Sequence, residues 1–100
     1  MTREEHLLTI IAEECVEIAK NATKALRFGL DDCEPGQPDS NARRMCLECA
    51  DLQAVLEMLK AHSITLALAS QSVNIDECIS LKKSKVERFL EYSRERGRLQ

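Results

Sequence analysis

The chain has 100 residues, enough for one core but with little margin for a monomer. Its net charge of −3, from 17 acidic and 14 basic residues, argues against an electrostatic footprint for nucleic acid, although the last third is locally basic. Only three Gly, two Pro and 3% aromatics stand among abundant helix formers, which predicts an all-α fold in one domain, residues 1–100, with a core of Leu, Ile, Val, Ala, Met and Cys.

The first predicted helix opens at Thr2-Arg3-Glu4-Glu5, a capping-box spacing, and runs to Phe28, where Gly29 offers a stop. Its expected core stripe is Leu8, Ile11, Cys15, Ile18, Ala22 and Ala25, widened on one side by Leu7, Ile10 and Phe28. Glu14 falls inside that widened face and Glu17 at its margin, while Glu13 lies further round. Lys20, Asn21 and Lys24 follow within the next two turns.

Leu30 to Ser40, with Asp31, Asp32, Pro35, Gly36, Pro38 and Asp39, has turn composition and is the expected mobile loop. Asp39, Ser40 or Asn41 then caps a second helix running to about His62. Gln53, Glu57, Lys60 and Arg43 share its narrow polar face, at about 100° per residue. Glu48 and Asp51 lie in the opposite sector among Leu47, Leu52, Val55, Met58 and Leu59, and their i, i+3 spacing points both the same way. Two carboxylates cannot be buried side by side without a cation, either a basic side chain or a metal ion. A salt-bridged pair in a helical core is the plain structural reading.

Ser63 to Val73 is read as a helical extension or short helix, since a lone strand has no partner. Asn74-Ile75-Asp76-Glu77 caps a last helix that Gly97 closes. Lys82 and Lys85 intrude on its apolar face of Ile75, Cys78, Ile79, Leu81, Val86, Phe89, Leu90 and Tyr92. The five cysteines read as reduced, Cys15, Cys46, Cys49 and Cys78 as small core residues and Cys33 in the loop; Cys46-x-x-Cys49 lacks the second pair that a zinc site needs. Neither a stretch of eighteen apolar residues nor a charged-then-apolar leader occurs, so the expectation is a cytoplasmic protein without a membrane partner.

If the first two helices are antiparallel, Glu14 and Glu17 converge with Glu48 and Asp51. Four oxygen ligands suit Mg²⁺ or Mn²⁺ better than zinc or copper. Inward lysines beside such an ion fit phosphate handling, and no P-loop spacing is present. A ferritin-like di-iron centre is disfavoured, because neither His6 nor His62 completes a Glu-x-x-His.

Glu13-Glu14-x-x-Glu17 followed by Glu48-x-x-Asp51 resembles the EExxE…ExxD signature of the MazG-like all-α nucleoside triphosphate pyrophosphohydrolases. Lys24-Ala-Leu-Arg27-Phe28-Gly29 and Lys82-x-x-Lys85-Val86 before Tyr92-Ser93 look like the short phage and mobile-element members. The resemblance implies a nucleotide-pool enzyme that hydrolyses a (deoxy)nucleoside triphosphate to the monophosphate and pyrophosphate. Glu14, Glu17, Glu48 and Asp51 would then hold Mg²⁺, with Glu13 orienting water. Asn21, Lys24, Arg27, Lys82 and Lys85 would contact phosphate or sugar.

The apolar sector of the second helix spans more than half its circumference, wider than three helices of one chain can cover. The expected assembly is therefore a bundle of three to four helices per chain, completed by dimerisation into a four-helix core, as a homodimer or dimer of dimers. The alternative from another class is a non-catalytic dimerisation module whose inward charges form salt bridges between subunits.

Overall fold

Thr2 starts the first helix as its spacing predicts. In a computed structural model, which describes residues 1–60 and 74–100, its Oγ1 accepts from the Glu5 amide at 3.1 Å and its own amide donates to Glu5 Oε2 at 2.7 Å. Helix α1 then runs over Arg3–Phe28. Gly29 ends it at φ +99°, a backbone conformation that a residue with a Cβ adopts only with strain, and donates its amide to the Ala25 carbonyl at 2.8 Å.

Helix α2 spans Asn41–Lys60. Of the three candidate caps it is Ser40 that serves: its Oγ accepts from the Arg43 amide at 3.2 Å and its carbonyl accepts from Arg44 at 3.0 Å. Asp39 instead pairs with Arg43 at 2.8 Å. The predicted end of this helix at His62, and the whole of 63–73, lie outside the described residues.

Helix α3 spans Ile75–Glu95. Asn74 Oδ1 caps it by accepting from the Glu77 amide at 3.0 Å. At its end Gly97, at φ +74°, donates to the Arg94 carbonyl while Arg98 donates to Ser93, the paired bonds of a Schellman turn. All regular elements among the described residues are thus helical, as composition predicts. None is long and apolar enough to cross a membrane. The chain divides into two compact units, Met1–Leu66 and Ala67–Gln100; the first holds α1 and α2, the second α3.

Within the first unit α1 and α2 pack against each other. They run antiparallel: the start of α2 is tied to the end of α1 where Asn41 Nδ2 donates to the Gly29 carbonyl at 2.9 Å, and mid-helix Glu14 meets Glu48 and Asp51. The covered positions define the seam as Leu7, Ile11, Glu14, Ile18, Asn21 and Ala25 on α1, and Asn41, Met45, Glu48, Leu52, Val55 and Leu59 on α2. Both alternate by four and three residues, the spacing of a coiled-coil seam. Leu7 and Val55 are its most enclosed apolar members, and Asn21 and Asn41 are buried polar ones.

Ile11, Ile18 and Ala25 of the predicted stripe lie in this seam, and Leu7 and Glu14 enter it from the widened side, whereas Leu8 and Cys15 are exposed and Asn21 takes the place given to Ala22. The row Leu8, Ala12, Cys15, Ala19, Ala22, Leu26 is apolar throughout and draws any periodicity toward itself. Adjacent rows on a helix differ by only ~100°.

The 29–40 connection is more tied down than its turn composition predicts. Asn41 and Ala42 donate their amides to the Asp32 and Leu30 carbonyls at 2.9 and 3.0 Å, and Cys33 pairs with Ser40 in an isolated antiparallel bridge. These bonds satisfy amides that the first turn of α2 would otherwise leave without partners.

Candidate metal centre

The seam sets Glu14 and Glu48 in positions that in an ordinary helical pair are apolar. One carboxylate oxygen from each of Glu14, Glu48 and Asp51 lies within 4.8 Å of the other two. Oxygens on opposite sides of a Mg²⁺ ion stand ~4.2 Å apart, twice a ~2.1 Å bond, so three oxygens at this spacing can share one ion with small side-chain adjustment. Glu14 and Glu48 are half-buried and Asp51 is exposed, which leaves the cluster one open side.

Glu14 is the unusual member. Its Oε2 is closed off from water and has no hydrogen-bond partner, although the residue as a whole keeps some solvent contact. Its pKa is pushed up to about 7, first by a hydrogen bond with the Glu48 carboxyl, then by desolvation and by the negative charges of Glu48, Asp51 and Glu13. An incoming cation would have to displace the proton this raised pKa favours, so its affinity would rise with pH. The donor set is all oxygen, which fits a hard divalent ion and not a thiolate-seeking one.

The other predicted residues are distributed around this cluster. Glu17, half-buried one turn along α1, is outside the group of three, and Glu13 is exposed beside Glu14. Asn21 is buried in the seam. Lys24 Nζ lies 3.4 Å from Glu34 Oε2, and the Arg27 guanidinium lies over the Phe28 ring at 5.1 Å. Lys82 and Lys85 stand exposed on α3 in the second unit, Lys85 over Phe89 at 5.8 Å.

In an antiparallel pair the rows flanking the seam differ by side. On one flank lie Ile10, Glu17, Lys24, Arg44, Asp51 and Met58, charged at four of six positions; on the other lie Leu8, Cys15, Ala22, Ala42, Cys49 and Leu56, all apolar or thiol. The charged flank contains two residues that motif reading passed over, Arg44 and its partner Glu34. The signal was there: Arg43 and Arg44 sit in the first turn of α2, where the helix dipole disfavours positive charge and no acidic residue is present. Arg44 Nη1 lies 3.0 Å from Glu34 Oε2. Arg44 and then Lys24 hold the Glu34 carboxyl below its ordinary range.

Set against known protein families, characterised proteins and solved structures, the chain matches none of them.

Proposed function

We propose that this chain is a Mg²⁺-dependent (Mn²⁺-tolerant) nucleoside triphosphate pyrophosphohydrolase of the MazG-like type, cleaving between the α and β phosphates. The observation that carries the reading is the convergence of Glu14 with Glu48 and Asp51 from two helices, with Glu14 Oε2 enclosed and without a partner. Structural carboxylates in a helix seam normally meet arginine or lysine; these meet one another.

In this reading Glu14, Glu48 and Asp51 would hold the ion, with Glu17, i, i+3 from Glu14, as the fourth candidate ligand. Bound Mg²⁺ supplies charge neutralisation on the phosphate oxygens and a template for in-line attack. Exposed Glu13 lies beside the cluster to accept a hydrogen bond from the attacking water. Lys24, on the same flank as Glu17 and Asp51, offers the compensating positive charge for the polyphosphate.

The assembly that fits is a homodimer in which two α1–α2 pairs form a four-helix core through the apolar flank. Leu8 at 46% and Leu56 at 42% exposure, with exposed Cys15 and Cys49 two turns further along the same two rows, favour a second helical pair over water on that side. It leaves the charged flank free for nucleotide.

The deciding experiment is a panel of NTPs and dNTPs with Mg²⁺ or Mn²⁺, resolved by phosphate product. Pyrophosphate and the monophosphate support the reading; orthophosphate as the sole product, or no turnover of any triphosphate, overturns it.

A further inference from the structure

One oxygen of Glu34, in the connection, takes two cations from two helices: Arg44 Nη1 at 3.0 Å and Lys24 Nζ at 3.4 Å. The side chains of the cations are the covered partners, 28% and 18% exposed, whereas Glu34 is 51% exposed. The carboxylate therefore sits as the outermost and most replaceable member, and the three groups together keep one net positive charge. Arg44 points its guanidinium there from the first turn of α2, against the helix dipole, so its placement is not a gain for the helix itself. A cavity of about 400 Å³ opens directly alongside, lined by Lys24, Phe28, Asp32, Cys33, Glu34 itself and Pro35.

We propose that Lys24 and Arg44 form an oxyanion site for phosphoryl oxygens, and that Glu34 is its internal occupant, displaced when a phosphate group binds. A planar guanidinium and an ammonium converging on one oxygen is the donor set that phosphate recognition uses. A dianionic phosphoryl group outcompetes a carboxylate there, because it offers three oxygens and more charge to the same two cations. Exchange is easy, since an exposed ion pair contributes little to stability. Once released, Glu34 no longer holds its segment of the connection to Lys24 and Arg44, which widens access to the Phe28 cavity.

The identity of the occupant rests on the hydrolase reading, whereas the site rests on the Lys24–Glu34–Arg44 geometry alone. Arg44 stands four residues before Glu48, ~6 Å along the α2 axis, and Lys24 ten residues after Glu14, ~15 Å along α1, both on the flank that carries Asp51.

Pyrophosphate titrated into the full chain in the presence of a chelator tests the site without any hydrolysis. Calorimetry should show Glu34→Gln binding pyrophosphate about tenfold more tightly than wild type, with Arg44→Ala or Lys24→Ala in that background removing the gain. Binding should weaken steeply with added salt. In the wild-type chain, which needs no variant to fold, the Glu34 carboxyl ¹³C resonance should shift as pyrophosphate saturates. A Glu34→Gln variant that binds no tighter than wild type, or a Glu34 signal unmoved at saturation, overturns the proposal and leaves a purely structural ion triad. Retained pyrophosphate binding alongside absent triphosphate hydrolysis would overturn the hydrolase reading and not this one.

Discussion

Glu14 and Glu48 face each other across the α1–α2 seam as two acids, not as an acid and a base, with a carboxylate oxygen of each within 4.8 Å of the other. That arrangement raises the proton affinity of Glu14 in the protein without metal. Glu14 has its pKa raised from 4.5 to about 7. Between those values the folded chain binds more protons than the unfolded one, so stability falls as pH rises. The Glu14 contribution is fully present below pH 4.5 and lost as pH passes about 7. Chemical denaturation from pH 5 to 8 with a chelator should show that decline, and Glu14→Gln should flatten it. Adding Mg²⁺ at pH 8 should restore stability to wild type and not to the variant, since the ion replaces the proton. A decline equally steep in the variant would assign it to other groups.

Asp51→Asn and Glu48→Gln should each lower kcat/KM for the preferred triphosphate at least about a hundredfold, because a lost metal ligand removes several kcal/mol of charge stabilisation. Their folds should stand: a neutral amide relieves repulsion within the Glu14–Glu48–Asp51 group. Thermal melts without metal check this, and a variant that unfolds where wild type does not would point to a salt-bridged structural role.

Asn41 is 2% exposed and ties the start of α2 to the end of α1 through the Gly29 carbonyl. Asn41→Ala removes that bond and leaves the exposed Gly29 carbonyl with only the Asp32 amide at 3.4 Å, at a cost of ~1 kcal/mol. Asn41→Asp should fare no better, since a carboxylate cannot donate to it. Urea denaturation measures both; an unchanged midpoint would show that water replaces the bond at no loss.

Leu56→Glu, on the apolar flank and away from the carboxylate group, should convert the proposed dimer to an 11.3 kDa monomer in light scattering. Met58→Glu, on the opposite flank, serves as the control and should leave the mass unchanged. A wild-type chain that is monomeric and fully active would overturn the shared four-helix core.

The helices themselves were legible in the chain. Thr2 with Glu5, Asn74 with Glu77, and Gly29 and Gly97 mark ends by local chemistry, where the partner of each amide or carbonyl lies within a few residues. Glu48 and Asp51 also stood out locally, because charge in an apolar helical sector needs no knowledge of the neighbouring helix to look anomalous. What the chain alone could not settle was rotation. Ile11, Ile18 and Ala25 stand in both the expected stripe and the seam, but at the alternate positions the stripe took Leu8, Cys15 and Ala22 where the seam takes Leu7, Glu14 and Asn21, one position away. Only packing against α2 decides which of two adjacent rows is inside, since the choice depends on how both helices fit together. The same packing decided that Glu17 stands outside the group of three and that Arg44 and Lys24 share Glu34. Those are contacts between residues ten or more apart in the chain, set by the angle and offset of two helices and by a connection tied back onto them. Helical periodicity records the first turn of a side chain about its own axis; it carries no record of the partner that side chain meets.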